Sequence, residues 1–114
     1  MKSKSLAIRP GTVDLLALGA LARGGEMHGF QVLSWIEERS DGALLVEEGA
    51  LYPSLHRMEK RGWLTASWAV SEKGRRAKYY TITRAGRRAL MVETKDWGQY
   101  VEAVQKIVVG RLST

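Results

Sequence analysis

The pattern of apolar and polar positions along the 114-residue chain predicts three helices, a hairpin and a long last helix, in that order. Residues 13–23 (VDLLALGALAR) are apolar nearly all round, which predicts a first helix that is buried on more than one side. In residues 28–39, Phe30, Leu33 and Ile36 recur at helical spacing and predict the inner stripe of a second helix. Both helices should therefore contribute to one core.

Turn and capping signals bound these two helices. Pro10–Gly11 is a turn signal, and Thr12 is the expected N-cap of the first helix. The turn Ser40–Gly42 ends the second helix, and the apolar stretch Ala43–Val46 that follows it suggests a brief strand. This link is longer than the tight turn of the simplest helix-turn-helix, which favours a winged variant.

The third helix lies within residues 47–63 (EEGALYPSLHRMEKRGW) and ends at Gly62. On a helical wheel, Leu55 and Met58 each fall within about 40° of Leu51, and the three residues form one apolar stripe. Small, hydrogen-bonding and cationic residues occupy the opposite side: Gly49, Ala50, Pro53, His56, Arg57 and Lys60. Taken alone, this pattern suits an ordinary surface helix, but it also suits a recognition helix whose small end enters a groove.

The next segment has the composition of a β-hairpin. Residues 63–70 (WLTASWAV) and 78–83 (KYYTIT) are rich in aromatic and β-branched residues, and Gly74 marks the turn between them. One of Tyr79 and Tyr80 should pack inward, while the other is a candidate to contact phosphate. Three helices followed by a cationic hairpin describe a winged helix-turn-helix.

A last helix should run from about residue 84 to residue 109, capped by Thr83. At ~1.5 Å per residue it would be about 39 Å long, which exceeds what the domain can cover. Its apolar positions follow a heptad seam: Leu90, Thr94, Trp97, Val101, Val104 and Val108. The seam should meet a second copy of the chain, or fold back on the first helix, and both can hold together. The chain thus divides into a winged domain (1–83) and a dimerisation helix (84–114).

Charge changes the picture, because its excess is local. The net charge is +6, and residues 71–88 alone hold seven basic residues against one acidic residue. A basic stripe on a neutral body indicates a polyanionic partner, most simply nucleic acid, although a solvated hairpin tip is the alternative.

Other chemistry is largely excluded by residue content. The chain has no cysteine, and no metal-ligand spacing surrounds His28 or His56, so neither a metal nor a cofactor is expected. The sequence contains no nucleophile–base pair and no phosphate-binding glycine loop, so an enzyme is not expected. No apolar run approaches a membrane span, and a cytoplasmic protein is the expectation. A winged module that binds protein rather than DNA is the rival function, but it leaves the basic stripe unexplained.

One known family shares four stretches with this chain: PGTVDLLALGALARGGEMHGF (10–30), EEGALYPSLHRMEKRGWLTASW (47–68), GRRAKYYTITRAG (74–86) and DWGQYVEAVQKIV (96–108). Through them the chain resembles the PadR family of bacterial transcription regulators, in particular its short subfamily. The resemblance implies a winged helix-turn-helix homodimer that binds a pseudo-palindromic operator, usually as a repressor. Two departures are Ala50, where Thr or Ser is more usual, and Met58 in place of Leu. Ala50 lacks a hydroxyl that could cap the helix or contact phosphate.

The expected site residues fall into three groups. DNA contacts are expected from the third helix and the wing: Tyr52, Pro53, His56, Arg57, Lys73, Arg75, Arg76 and Lys78. Dimer contacts are expected from Leu90, Trp97, Val101, Val104 and Val108. Trp97 should either pack in the dimer core, which is the commoner outcome, or wall a cavity. The resemblance adds a hypothesis for the cavity, since some short PadR-like proteins bind planar aromatic compounds at the dimer interface.

Overall fold

Four helices and a small antiparallel sheet make up the computed structural model, which describes residues 6–9 and 11–110. The elements are α1 (Thr12–Gly24), β1 (Met27–His28), α2 (Gly29–Arg39), α3 (Glu48–Lys60), β2 (Leu64–Val70), β3 (Arg76–Ile82) and α4 (Arg84–Val108). The predicted fold class, mainly helical with a hairpin and a long last helix, is confirmed. Pro10 of the predicted turn and both ends of the predicted domains, residues 1–5 and 111–114, lie outside the described residues.

The core forms around α1, which contacts α2, α3 and α4. Ala17, Leu18 and Leu21 are buried on it, as expected for a helix that is apolar nearly all round. The predicted stripe of α3 is also buried, with Leu51, Leu55 and Met58 at 0% exposure. The sheet closes the core with Leu64, Tyr80 and Ile82.

The sheet has the strand order β1–β3–β2. The hairpin pairs Leu64 with Ile82 at one end and Val70 with Arg76 at the other. Alternation along β3 buries Tyr80 and leaves Tyr79 partly exposed, so Tyr80 is the tyrosine that packs inward. The sequence analysis missed β1, which has only two residues and therefore shows no periodicity.

Two predictions about the first helices are wrong. Gly11, with a φ of 88°, is the N-cap of α1, while Thr12 lies inside the helix and its hydroxyl donates to the carbonyl of Arg9 at 2.6 Å. Phe30 does not belong to the inner stripe of α2, because 57% of its surface is exposed. Gly29, Val32 and Ile36 occupy the buried face instead.

The segments next to α3 also differ in detail. Within the described part of the chain, Leu44 is the only residue of the suggested strand Ala43–Val46 that pairs, in a parallel bridge with Leu6. Strand β3 begins at Arg76 rather than at residue 78, so the hairpin extends into the basic segment. The link between α2 and α3 spans residues 40–47 and is longer than a tight turn, as predicted.

Helix α4 begins against the domain and then leaves it. Thr83 is its N-cap, as predicted, and its hydroxyl accepts from the backbone N–H of Gly86 at 3.0 Å. Leu90, in the early turns, packs against the core beside α1. This part of α4 thus folds back on the first helix, which was one of the two predicted arrangements. Further on, the seam positions Trp97 and Val104 are 40% and 39% exposed. The outer half of α4 therefore presents apolar side chains to solvent in the single chain.

Candidate nucleic-acid interface

The outward face of α3 is a narrow stripe opposite its buried leucines. Gly49, Pro53, His56 and Lys60 recur at spacings of three and four residues, and all four are exposed. The first half of this stripe carries no long side chain, so another surface can approach the helix backbone closely there. Pro53 and His56 are predicted site residues, whereas Lys60 belongs only to the predicted polar face.

Tyr52 lies on the flank of α3 that faces α2. Its ring packs on Gly29 so closely that a Cβ atom built at Gly29 would lie 2.5 Å from the Tyr52 Cε1 atom. Burial, with a smaller contribution from Glu48, raises the pKa of the Tyr52 hydroxyl above its ordinary value. Tyr52 retains 36% exposure, so it combines a packing role with an accessible edge.

Arg57 lies on the other flank of α3 and makes an ion pair with α1. Its Nη2 atom is 2.8 Å from Oδ1 of Asp14, and Ser54 donates from its hydroxyl to the same oxygen. The Arg57 side chain is 52% exposed, while that of Asp14 is 17% exposed. The predicted contact residue is therefore held at one side of its guanidinium and open at the other.

The tip of the hairpin carries three exposed basic side chains, Lys73, Arg75 and Arg76. Its turn is closed by hydrogen bonds from the Ser71 N–H to the Arg75 carbonyl at 2.7 Å and from the Gly74 N–H to the Ser71 carbonyl at 2.9 Å. Gly74 has a φ of 76°, which favours glycine at this turn. The exposed charges are therefore carried by a short turn whose backbone is fixed by hydrogen bonds.

Arg76 and Lys78 each have a partner within the domain. The Arg76 guanidinium carbon lies 4.9 Å from the centroid of the exposed Trp68 ring. The Lys78 ammonium is 3.0 Å from the Glu59 carboxylate, and this hydrogen bond raises the pKa of Lys78. Lys78, only 28% exposed, thus joins the hairpin to the end of α3. Of the four predicted wing cations, it is the least available to an external anion.

A groove of about 830 Å³ separates α2 and α3 from the hairpin. Residues of all three elements line it, including Gln31 and Ser34 of α2, His56 of α3, and Trp68 and Arg76 of the hairpin. The sequence analysis missed Gln31, Ser34 and Trp68 as members of the site. A capping signal was available for Gln31, because it forms a reciprocal capping box with His28, three residues earlier.

The predicted dimerisation residues separate into two groups along α4. Leu90 packs on its own domain, whereas Trp97, Val104 and Val108 are exposed and Val101 is partly exposed. Tyr100 and Ile107, which were not predicted, enlarge the apolar surface with exposures of 58% and 84%. The Trp97 and Tyr100 ring centroids are 6.2 Å apart. None of the helices within residues 11–110 combines the length and the hydropathy of a membrane span.

Three helices, a short sheet and a basic hairpin define a winged helix-turn-helix protein. Residues 17–92 match the model of the transcriptional regulator PadR-like family, and the chain belongs to that family. This is a family of transcription regulators rather than enzymes.

Known relatives agree with this assignment. A transcriptional regulator of Mycobacterium tuberculosis is 35% identical over 94 residues, which cover 82% of this chain and 80% of that protein. The negative transcriptional regulator PadR of Bacillus subtilis is 26% identical over 71% of this chain and 42% of its own length. The solved structure of a transcriptional regulator from Clostridium thermocellum superposes with a TM-score of 0.77 at 26% identity, covering 86% of this chain and 94% of that one.

Proposed function

We propose that the protein is a homodimeric DNA-binding repressor of transcription in the bacterial cytoplasm. The observation that carries the proposal is that the exposed basic hairpin and two residues of α3, Tyr52 and His56, line one groove. In the proposed complex, α3 enters the major groove of duplex DNA and the hairpin follows the phosphate backbone. The local charge of +6 in residues 71–88 supplies the attraction.

The roles of the contact residues follow from their exposure and partners. His56 and Pro53 of α3 face the bases or the sugar edge, with Lys60 as an added contact, because all three are on the outward stripe. Tyr52 and Arg57 flank this stripe and contact the backbone. Lys73, Arg75 and Arg76 hold phosphates, and Lys78 contacts DNA only if it exchanges the Glu59 carboxylate for a phosphate. Ala50 makes no hydroxyl contact, in contrast to the residue usual in the family.

The dimer in this proposal forms through the outer half of α4, with residues 1–83 as the DNA-binding unit and 84–114 as the dimerisation unit. Support comes from the seam on a 25-residue helix, where Trp97, Val104 and Val108 are exposed and Val101 is partly exposed. An exposed apolar surface of this kind marks an interaction site in a monomer. Two α3 helices related by a two-fold axis would reach successive major-groove faces about 34 Å apart.

Repression and release form the last part of the proposal. The Bacillus subtilis relative is a negative regulator by its name, and a dimer seated on an operator represses by excluding polymerase.

A planar aromatic effector would stack on Trp97 beside Tyr100 and change the spacing of the two α3 helices. With Trp35, Trp63 and Trp68 replaced by Phe, such a ligand should quench Trp97 emission and release DNA with matching midpoints. A Trp97 that neither acrylamide nor any planar ligand quenches would be a core residue.

The test of DNA binding is a salt titration with a duplex taken from immediately upstream of the gene. The logarithm of the binding constant should fall steeply and linearly with the logarithm of salt concentration. Replacing both Arg75 and Arg76 with Ala should reduce this slope by about 0.9 for each phosphate that the variant no longer neutralises, with little change in melting temperature.

The matched control is Lys95→Ala, which removes an exposed charge from α4, away from the groove. It should leave the slope close to that of the wild-type protein. No binding at low salt would contradict the proposal and favour a module that binds protein. An unchanged slope with a large fall in melting temperature for the hairpin variant would make the two arginines structural.

A further inference from the structure

The Asp14 carboxylate of α1 contacts two side chains of α3 and lies near a third, that of Arg61 just after the end of α3. Its Oδ1 atom accepts from the Ser54 hydroxyl and lies 2.8 Å from Nη2 of Arg57, while its Oδ2 atom is 4.0 Å from Nη1 of Arg61. Ser54 and Arg57 of α3 and its C-cap residue Arg61 follow one another at spacings of three and four residues, so they lie on one side of the helix and its end. One carboxylate therefore spans two turns of the helix that carries the candidate interface.

The two main partners of Asp14 differ in what they need. Ser54 is 0% exposed, so its hydroxyl requires a hydrogen-bond acceptor within the protein. Arg57 is half exposed, and water could satisfy its guanidinium without Asp14. A half-exposed ion pair adds little to stability. Apolar packing and the Ser54 bond already join the two helices, so the Arg57 bond calls for a different explanation.

The geometry of the guanidinium supplies that explanation. It has five N–H donors in a rigid plane, and the bond to Asp14 runs from the Nη2 atom. The remaining donors can bind a phosphate while this bond persists. An arginine that is already oriented loses less side-chain freedom when it binds, so its contact gains affinity.

We propose that Asp14 is a positioning residue for DNA binding, which holds the Arg57 guanidinium ready for a backbone phosphate. This inference rests on the proposed DNA-binding function and adds to it a residue of α1, outside the recognition helix and the hairpin. It also predicts that removing the Asp14 carboxylate lowers DNA affinity, whereas charge repulsion alone would predict the opposite change. Removing a carboxylate next to DNA should tighten binding by reducing repulsion, whereas losing the orientation of Arg57 should weaken it.

The experiment is a double-mutant cycle on the full-length protein, with the same upstream duplex. Asp14→Asn keeps an oxygen for Ser54 but weakens the bond to Arg57, and it should lower DNA affinity about two- to tenfold, the size expected for immobilising one long side chain. Arg57→Ala should lower the affinity and reduce the salt slope by about 0.9. In the Arg57→Ala background, Asp14→Asn should cause no further loss.

Controls separate positioning from folding. Asp41→Asn removes an exposed carboxylate from the turn after α2 and should not lower the affinity. Ser54→Ala breaks the other half of the cluster and should lower the melting temperature more than Asp14→Asn does, because it removes the buried partner. If Asp14→Asn is unfolded at the assay temperature, Asp14→Glu replaces it. That variant keeps the charge but displaces the carboxylate, and the same coupling to Arg57 is expected.

The outcomes distinguish this inference from the proposed function. Equal or tighter binding by Asp14→Asn, or an equal loss with and without Arg57, would overturn the positioning role while DNA binding stands. Absence of salt-dependent duplex binding by the wild-type protein would overturn both.

Discussion

Gly86 shows how a single residue fixes the start of α4. A Cβ atom added there would lie 2.2 Å from the backbone carbonyl oxygen of Trp63 and 2.8 Å from a side-chain carbon of Ile82. The Trp63 carbonyl is itself held, since it accepts from the N–H of Thr83 at 2.9 Å. Only glycine permits the first turn of α4 to approach the hairpin so closely.

We therefore expect Gly86→Ala to destabilise the protein by about 1–3 kcal/mol, the usual cost of overpacking a region that cannot move. Gly98→Ala is the matched control, because it lies on the same helix and its added Cβ would meet nothing within 4 Å. That change should stabilise the helix by up to about 1 kcal/mol. Urea unfolding of both variants measures the difference. Equal effects of the two substitutions would contradict the close approach at Gly86.

The residue scale also shows what sequence reasoning could not find. Asp14 and Arg57 are 43 positions apart, so no local pattern pairs them. The hydrophobicity of Phe30 predicts an inward position, but Gly29 takes the buried face because the Tyr52 ring packs on it. This contact rotates Phe30, the next residue, toward solvent. A small residue decided the orientation of α2, and small residues carry no hydrophobic signal.

At the scale of elements, strong periodicity predicted most of what was found. The bounds of α1 and α4 differ from the predictions by about one residue, because long apolar patterns and the Thr83 cap define them. The two-residue β1 was missed, and a strand was predicted where Leu44 forms a single bridge. Both errors arise because the pairing depends on residues distant in sequence. From the sequence, only α3 and the hairpin could be predicted to line the groove. The residues of α2 that line its other side could be identified only from the tertiary structure.

The two faces of α3 give the element-scale prediction. Leu55 is fully buried, and Leu55→Ala should reduce the free energy of unfolding by about 2–5 kcal/mol. His56, the next residue, is exposed, and His56→Ala should change stability by less than about 0.5 kcal/mol while weakening DNA binding. Chemical denaturation and DNA titration of the two variants separate these effects. A silent Leu55→Ala together with an unfolded His56→Ala would mean that the faces are assigned the wrong way round.

At the scale of the whole molecule, the exposed outer half of α4 and the α3 surface lie on one continuous chain of packed elements. Helix α1 contacts both α3 and α4, so the proposed dimer seam and the candidate DNA surface are packed on the same helix. Any change in how two copies meet along α4 should therefore alter the distance between their α3 helices. In the proposed dimer, the half-site spacing of the operator and the distance between the two α3 helices should therefore agree.

The last prediction tests that link. Val104→Asp places a carboxylate in the seam at a position that is 39% exposed in the single chain, so the fold should survive while the dimer dissociates. Val101→Asp should act in the same way. Sedimentation should then give a species of about the chain mass, 12.7 kDa, with poor affinity for an inverted repeat whose half-sites lie about 34 Å apart.

The same substitution outside the seam provides the control. Val92 is 60% exposed and lies on the opposite side of α4 from the heptad positions, so Val92→Asp should leave both the dimer and its DNA affinity unchanged. The contrast between Val92 and Val104 excludes a general effect of charge on the helix. A dimer that persists in Val101→Asp and Val104→Asp would place the interface on another surface. The two α3 helices would then be related by a different axis, and a different half-site spacing would follow.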